Sequence, residues 1–353
     1  MKIMIIGSNY FSYMEHLSSC FEEMGHVCLW LEYTLPRGGI KNFLYYGMPA
    51  QLESIFKLNS YDKKYIEYKK LFNNNIIEQS LSFKPDLVFI VRGEFMFPET
   101  IKALKELGSQ VHLWMYDSIR LYNGVEPYLG YLDVYYSYEP TDVDYVKKGF
   151  NNNSFYLPLG YNHKKYVFIK DCNKNNDLFF IGALHQNRIS FLNNLCKKYS
   201  DRRIKIHTNY IARDRFWRKP FLKILFPDLA RYIYPPIYSH EKINEEYNKT
   251  KININIHNTS YGFEQGLNYR FFELLGSGSF QIVEKKYLQK IEMPVGAGVV
   301  SYESVQELFE QIDYYLDNDN GRERLIEKGL YFAKNHTIKK RMEFVLEKYS
   351  SLI

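Results

Sequence analysis

Short apolar runs alternate along this chain with stretches of helical spacing. Residues 2–6 form a β-type run ending at Gly7-Ser8-Asn9, after which Phe11, Met14, Leu17, Cys20 and Phe21 recur at helical spacing until Gly25. Residues 27–31 read as a second strand, so the opening is strand, turn, helix, strand, the start of a doubly wound parallel sheet. Its turn carries one glycine where a dinucleotide fingerprint needs three, which argues against an oxidoreductase cofactor loop. A helical and loop region over 51–83 precedes a buried-type strand at 87–91, ending in Arg92-Gly93-Glu94. A helix over 98–107 leads to strand 111–115 with Tyr116-Asp117 behind it, and strand 134–138 ends at Glu139. Open α/β sheets bind ligands beyond the carboxyl ends of their strands, which sets Arg92, Glu94, Asp117 and Glu139 along one rim.

Residues 155–159 read as the last strand of this series, and the polar, lysine-rich stretch 162–176 reads as a linker. A second series then repeats the first: strand 177–181, turn 182–186, helix 188–199, strand 203–207. It continues with a helix over 241–250, a strand over 252–257, a loop over 258–267 and a helix starting at Tyr269. Strands at 280–283 and 298–301, a helix over 305–316 and a basic helix over 338–352 complete it. The expected fold class is α/β with two Rossmann-like domains, 1–162 and 163–335, and a C-terminal segment 336–353 packing back on the first.

Composition agrees, because 353 residues exceed one core at a prior of about 150 residues per domain. The 17% aromatic share, with 33 Tyr and 25 Phe, fits an AT-rich coding bias first, and also suits surfaces that pack against sugar rings. Net charge is +6 with the bases gathered in 202–231, which suits an anionic partner or a solvated basic face. Basic-aromatic nucleic-acid motifs are missing, so no nucleic-acid partner is expected. The four cysteines show no metal-ligand spacing and read as reduced thiols, and no metal is expected. No apolar run reaches the roughly 20 residues of a membrane span, so the expected location is cytoplasmic. Residues 212–238 mix Arg and Lys with Phe, Trp, Leu and Ile and hold four prolines, leaving two readings: a contact with the inner face of the membrane or an acceptor lipid, or a structural insertion.

The densest chemistry lies in 251–273. A vicinal diol is well held by one carboxylate accepting two hydrogen bonds, for which Glu273 is suited, and a diphosphate suits the cation and helix start at Asn268-Tyr269-Arg270. The blocks Asn253-Ile254-Asn255-Ile256-His257, Gly266 to Glu273 and Gly276-Ser277-Gly278 resemble the donor-site segment of CgeB-type glycosyltransferases, a branch of the GT-B superfamily. Lys84-Pro85-Asp86, Arg92-Gly93-Glu94, 114–117, Leu157-Pro158-Leu159-Gly160, Phe180-Ile181-Gly182 and His336-Thr337 with Arg341 match the same pattern in order.

The resemblance implies two facing Rossmann-like domains, an acceptor site in the first and a nucleotide-sugar site in the second, with no cofactor or metal beyond the donor itself. Carried over, Glu273 holds the ribose, Arg270 and Asn268 approach the diphosphate or sugar, and Arg188 after the Gly182 turn is a second phosphate ligand. Arg92, Asp117 and Glu94 belong to the acceptor side. Related retaining transferases use two glutamates with seven residues between them; counting back from Glu273 lands on Gln265, with Glu264 its neighbour. Either can face the sugar. The expected activity is transfer of a sugar to a cell-surface polysaccharide, glycolipid or protein, with Arg188 and Arg270 stabilising the leaving group and Asp117 or Glu94 as general base if the reaction inverts. Two rivals stand beside it: a sugar-nucleotide epimerase, and a non-catalytic envelope or spore assembly factor that kept the fold. Plainer roles are also open residue by residue: Arg270 and Glu273 as a surface helix pair, Asp117 as a helix cap, His185 as an exposed loop histidine or a phosphate donor, His257 as structural.

Overall fold

The computed structural model describes residues 1–9, 12–33, 60–122, 124–211, 218–257, 266–288, 291, 293 and 298–353. The chain divides into two compact units, Met1–Leu157 with Met342–Ile353, and Pro158–Arg341.

In the first unit the described strands are β1 (Lys2–Gly7), β2 (Val27–Glu32), β3 (Leu87–Val91), β4 (Gln110–Met115), β5 (Val134–Ser137) and β6 (Ser154–Tyr156), with helices α1 (Tyr13–Glu23), α2 (Ser60–Phe83), α3 (Pro98–Glu106) and α4 (Pro140–Gly149) between them. Every pairing is parallel and the order is β2-β1-β3-β4-β5-β6. Helices on both faces bury such strands on both sides, which is why β3 reads Leu-Val-Phe-Ile-Val and is buried at all five positions. Phe72, Ile76 and Ser80 repeat every four residues along α2 and are buried, one row of a helix turned to the sheet. Beside them Asn73 donates to the Phe95 carbonyl at 2.7 Å and accepts from the Phe97 N–H at 3.1 Å, which fixes the loop behind β3.

The second unit repeats the scheme with β7 (Asn176–Ile181), α5 (Gln186–Lys198), β8 (Ile204–His207), α6 (Arg218–Leu225), α7 (Pro227–Ala230), β9 (Ile233–Tyr234), α8 (His240–Asn248), β10 (Thr250–Asn255), α9 (Tyr269–Gly276), β11 (Gln281–Glu284), β12 (Val299–Tyr302), α10 (Val305–Leu316) and α11 (Asp319–Ala333). Its order is β12-β11-β10-β7-β8-β9, again all parallel. The direction of winding reverses between β7 and β10, and a ligand crevice opens at that switch point in sheets of this type. The last helix, α12 (Ile338–Ser350), carries Phe344 against Tyr136 and Phe155 of the first unit.

Elements not expected from the sequence are α4, α6, α7, β9 and α11. Glu139, placed on the rim by strand position, instead caps α4, its side chain accepting from the Thr141 N–H and hydroxyl. Within 212–238 the described residues make two short helices and an edge strand, with Leu222 and Leu229 buried in the core of the second unit. The polar stretch 162–176 lies inside the second unit, where Asn244 and Asn248 of α8 bind its backbone at Val167 and Ile169.

Candidate functional site

At the switch point of the second unit, Gly182 follows β7, and Ile256 and His257 follow β10. Arg188, in the first turn of α5, is buried, and donates from Nη1 to the Ala183 carbonyl and from Nη2 to the Ile256 carbonyl, both at 2.9 Å. Its Nε is buried with no partner among the described residues. Arg270, in the first turn of α9, lies over the Phe180 ring at 5.1 Å, with Arg188 over the same ring at 5.9 Å. Gly182 allows this approach: a Cβ there would stand 2.5 Å from Arg270 Nη2. Neither guanidinium has a carboxylate within ion-pair distance among the described residues. Burial, and then the charge of Arg270, pull the Arg188 pKa down. Two cations thus gather at one ring with no carboxylate within ion-pair distance among the described residues, an arrangement that favours an anionic ligand.

A run of amides fixes Arg270. Gln281 donates to the Phe271 carbonyl at 2.8 Å, so its oxygen accepts from Asn255 at 3.1 Å. The Asn255 oxygen then accepts from Asn268 at 2.9 Å and from Arg270 Nη1 at 3.4 Å. The Asn268 oxygen caps α9 by accepting the Phe271 N–H at 3.0 Å. His257 Nε2 accepts the Asn268 N–H at 3.3 Å, and its ring stacks on Tyr287 with centroids 3.7 Å apart.

Glu273 lies one helical turn beyond Arg270 and is partly buried. Tyr247 donates to it at 3.2 Å, Tyr166 donates as well, and His240 Nδ1 stands 2.8 Å from the Tyr166 oxygen. Burial raises the Glu273 pKa, against the two hydroxyls and the nearby His240 and Arg270. A carboxylate has about four acceptor positions, so two tyrosines leave two for a ligand diol. Glu273 is therefore not the surface partner of Arg270.

In the first unit, Arg92 and Gly93 take successive left-handed conformations (φ 71° and 75°), which turns the chain sharply behind β3. Arg92 pairs with Glu94 at 2.5 Å and stands 4.0 Å from Asp117. Tyr33 donates to Glu94 and Tyr122 to Asp117, each at 2.8 Å, and the Arg92 guanidinium lies 4.9 Å from the Tyr122 ring centre. Tyr128 donates to the Gly93 carbonyl at 2.6 Å. Burial raises the pKa of both carboxyls, against the nearby Arg92 charge. Asp117 shows no capping bond to the helical turn behind it; Ser118 provides that cap.

The structure therefore groups Gly182, Arg188, Asn268, Arg270 and Glu273 in the second unit, and Arg92, Glu94 and Asp117 in the first. His185 is exposed at the start of α5 and makes no side-chain cap bond. Glu264 and Gln265 lie outside the described residues. Asn255, Gln281, Tyr166 and Tyr247 were not singled out from the sequence, and His257 was weighed only as structural. Asn253, Asn255 and His257 alternate with isoleucines in a strand both of whose neighbours are buried, and that period of two was the available signal. Among the described residues no three His, Cys, Asp or Glu side chains group closely enough to hold a metal ion.

Residues 188–347 match a family model described as glycosyl transferase-like. Solved structures match nearly the whole chain. Sucrose-phosphate synthase from Thermosynechococcus elongatus has a TM-score of 0.66 at 11% identity, covering 100% of this chain and 99% of that one. An alpha,alpha-trehalose-phosphate synthase (UDP-forming) from Burkholderia vietnamiensis has 0.63 at 11%, covering 99% and 100%. A putative UDP-N-acetylglucosamine 2-epimerase from Listeria monocytogenes has 0.54 at 14%, covering 95% and 94%. No curated protein sequence matches this chain. The fold is α/β of the GT-B class, and the family match together with that fold supports glycosyl transfer.

Proposed function

We propose that the protein is a glycosyltransferase that takes a sugar from a nucleotide-diphosphate sugar and passes it to a hydroxyl of a polysaccharide, glycolipid or protein of the cell surface. The observation that carries this reading is the pair Arg188 and Arg270 at the switch point, without an ion-pair partner among the described residues, with Arg270 one turn before a carboxylate that has two acceptor positions left. Those groups suit the diphosphate and the ribose diol of one ligand. As the bond to the sugar breaks, charge accumulates on the departing diphosphate, and both guanidiniums and the positive end of α9 stabilise it. In this reading they do so without a metal ion, Glu264 or Gln265 faces the sugar, and Glu94 or Asp117 takes the acceptor's proton in an inverting reaction.

The test is a thermal-shift screen of nucleoside diphosphates and their sugars, because a ligand that binds only the folded state raises the melting temperature. One nucleotide should stabilise the protein, and its sugar form should release that nucleoside diphosphate during turnover. No shift at millimolar ligand would overturn the reading. Epimerised sugar with no nucleotide release would turn it into the epimerase, and binding without turnover into the assembly factor.

The acceptor side is supported by α6. Phe221, Ile224 and Leu225 stand at i, i+3 and i+4 on this helix and are 59%, 77% and 66% exposed, while Leu222 points into the core. Arg218, Lys219 and Lys223 lie on the same helix. An apolar stripe among cations suits an anionic lipid surface, where a lipid-linked acceptor and the inner face of the membrane meet. Replacing the three residues by Ser should abolish co-sedimentation with phosphatidylglycerol vesicles and leave nucleotide binding intact. Unchanged sedimentation would make α6 a structural insertion.

A further inference from the structure

His257 is 3% exposed, and its two nitrogens are fixed in different roles. Nε2 accepts the Asn268 N–H, so in the neutral ring the proton sits on Nδ1. Nδ1 is buried and has no partner among the described residues. In the amide run described above, Asn255, Asn268 and Gln281 all use donors and acceptors. The neighbouring orphan is also a donor, Nε of Arg188, whose Nη2 is bonded to the carbonyl of Ile256, the residue before His257. Two unused donors therefore lie at adjacent points of one strand end.

Burial, then Arg270, Arg188 and Lys286, all hold the His257 pKa far below its ordinary value. The imidazole is thus an uncharged donor set among cations. A third cation there would add to the repulsion between Arg188 and Arg270, whereas a neutral N–H adds a hydrogen bond without charge. A buried donor left unmet is costly, which favours a partner for Nδ1.

We infer that His257 Nδ1–H is a binding group of this site, donating to a phosphate oxygen of a nucleoside diphosphate that Arg188 Nε contacts from the other side. The inference rests on the donor reading above, since it names a further ligand within that site. It assigns His257 direct contact with the ligand, which its place in the amide run alone would not require.

Wild-type protein labelled with 15N-histidine is titrated with UDP, GDP, ADP and dTDP in parallel with calorimetry on wild type and His257→Phe, which keeps a ring to stack on Tyr287. Expected are a shift of the His257 Nδ1–H resonance on nucleotide binding with Nε2 still an acceptor, and a loss of affinity of roughly 10- to 100-fold in the variant. An unmoved Nδ1–H resonance under a nucleotide that binds, or a variant within about twofold of wild type, would overturn the inference and leave the donor reading standing. If none of the nucleotides binds wild type, the donor reading itself falls and takes the inference with it. Should the Phe variant fail to fold, the wild-type resonance alone decides.

Discussion

The two units place charge at the same topological position, behind the central strands of a parallel sheet, and treat it in opposite ways. Behind β3 and β4, one arginine meets two carboxylates: Arg92 pairs with Glu94 and approaches Asp117, and tyrosine hydroxyls serve both acids. Behind β7 and β10, two arginines meet no carboxylate among the described residues. The first cluster is balanced toward the negative and suits a neutral polyol and a proton. The second is balanced toward the positive and suits an anion. A fold used twice thus yields one site complete in itself and one that a ligand completes.

Alanine at the two arginines separates the clusters most sharply. Arg270→Ala should weaken nucleoside diphosphate binding by roughly 10- to 100-fold in calorimetry, the loss of a charge-assisted contact. The unliganded variant should stay within about 1 kcal/mol of wild type in urea unfolding, since a like-charge neighbour has gone. Arg92→Ala should do the reverse, costing about 2 kcal/mol because Glu94 is left partly buried and unpaired, with nucleotide affinity unchanged. Equal stability losses would dissolve the comparison.

The next test is Glu273→Gln. Wild type should prefer a ribonucleotide to its 2′-deoxy form by roughly tenfold, and the variant should bind both alike, because the amide keeps one acceptor oxygen of the carboxylate's two and the tyrosines occupy it. A preference that survives would move the ribose elsewhere.

These contrasts show where the sequence was legible. Alternating strands and helices announce themselves by period, and Gly182, Arg188 and Arg270 lie where strand ends and helix starts put them. The amide run could not be read that way, since Gln281 reaches Asn255 only because β11 pairs beside β10. Nor could the tyrosines behind Glu273, which come from α8 and from the segment before β7. Glu139 showed the opposite failure: its position at a strand end fitted a rim acid, but the N–H groups of a following helix captured it.

Acid chemistry gives a smaller effect. Because burial raises the Glu94 and Asp117 pKa values, turnover limited by either as general base should rise with pH through a value above the ordinary carboxylate range. A profile flat from pH 5 to 8 would remove that role. A last test concerns Asp142, fully buried behind this cluster, where it accepts the Ile119 N–H at 2.8 Å and the Ser118 hydroxyl at 3.1 Å. Burial pushes its carboxyl up to about 6. The folded state then holds a proton that the unfolded chain releases near pH 4, so this contribution is full below that point and lost as pH rises through about 6. Between pH 4 and 7 wild type should lose about 2 to 3 kcal/mol relative to Asp142→Asn in urea unfolding.

The run from Gln281 through Asn255 to Asn268 has a sense of direction. The Phe271 carbonyl dictates which end of Gln281 is oxygen, that choice dictates Asn255, and Asn255 dictates what Arg270 is offered. No member can rotate by itself without opposing like atoms to its neighbour, so the orientation is settled from inside the sheet and handed outward. Gln281→Glu, nearly the same shape and remote from any ligand, would set a carboxylate against a carbonyl and pass the conflict along. Faults in the recognition of an anion would then arise from positions that never touch it.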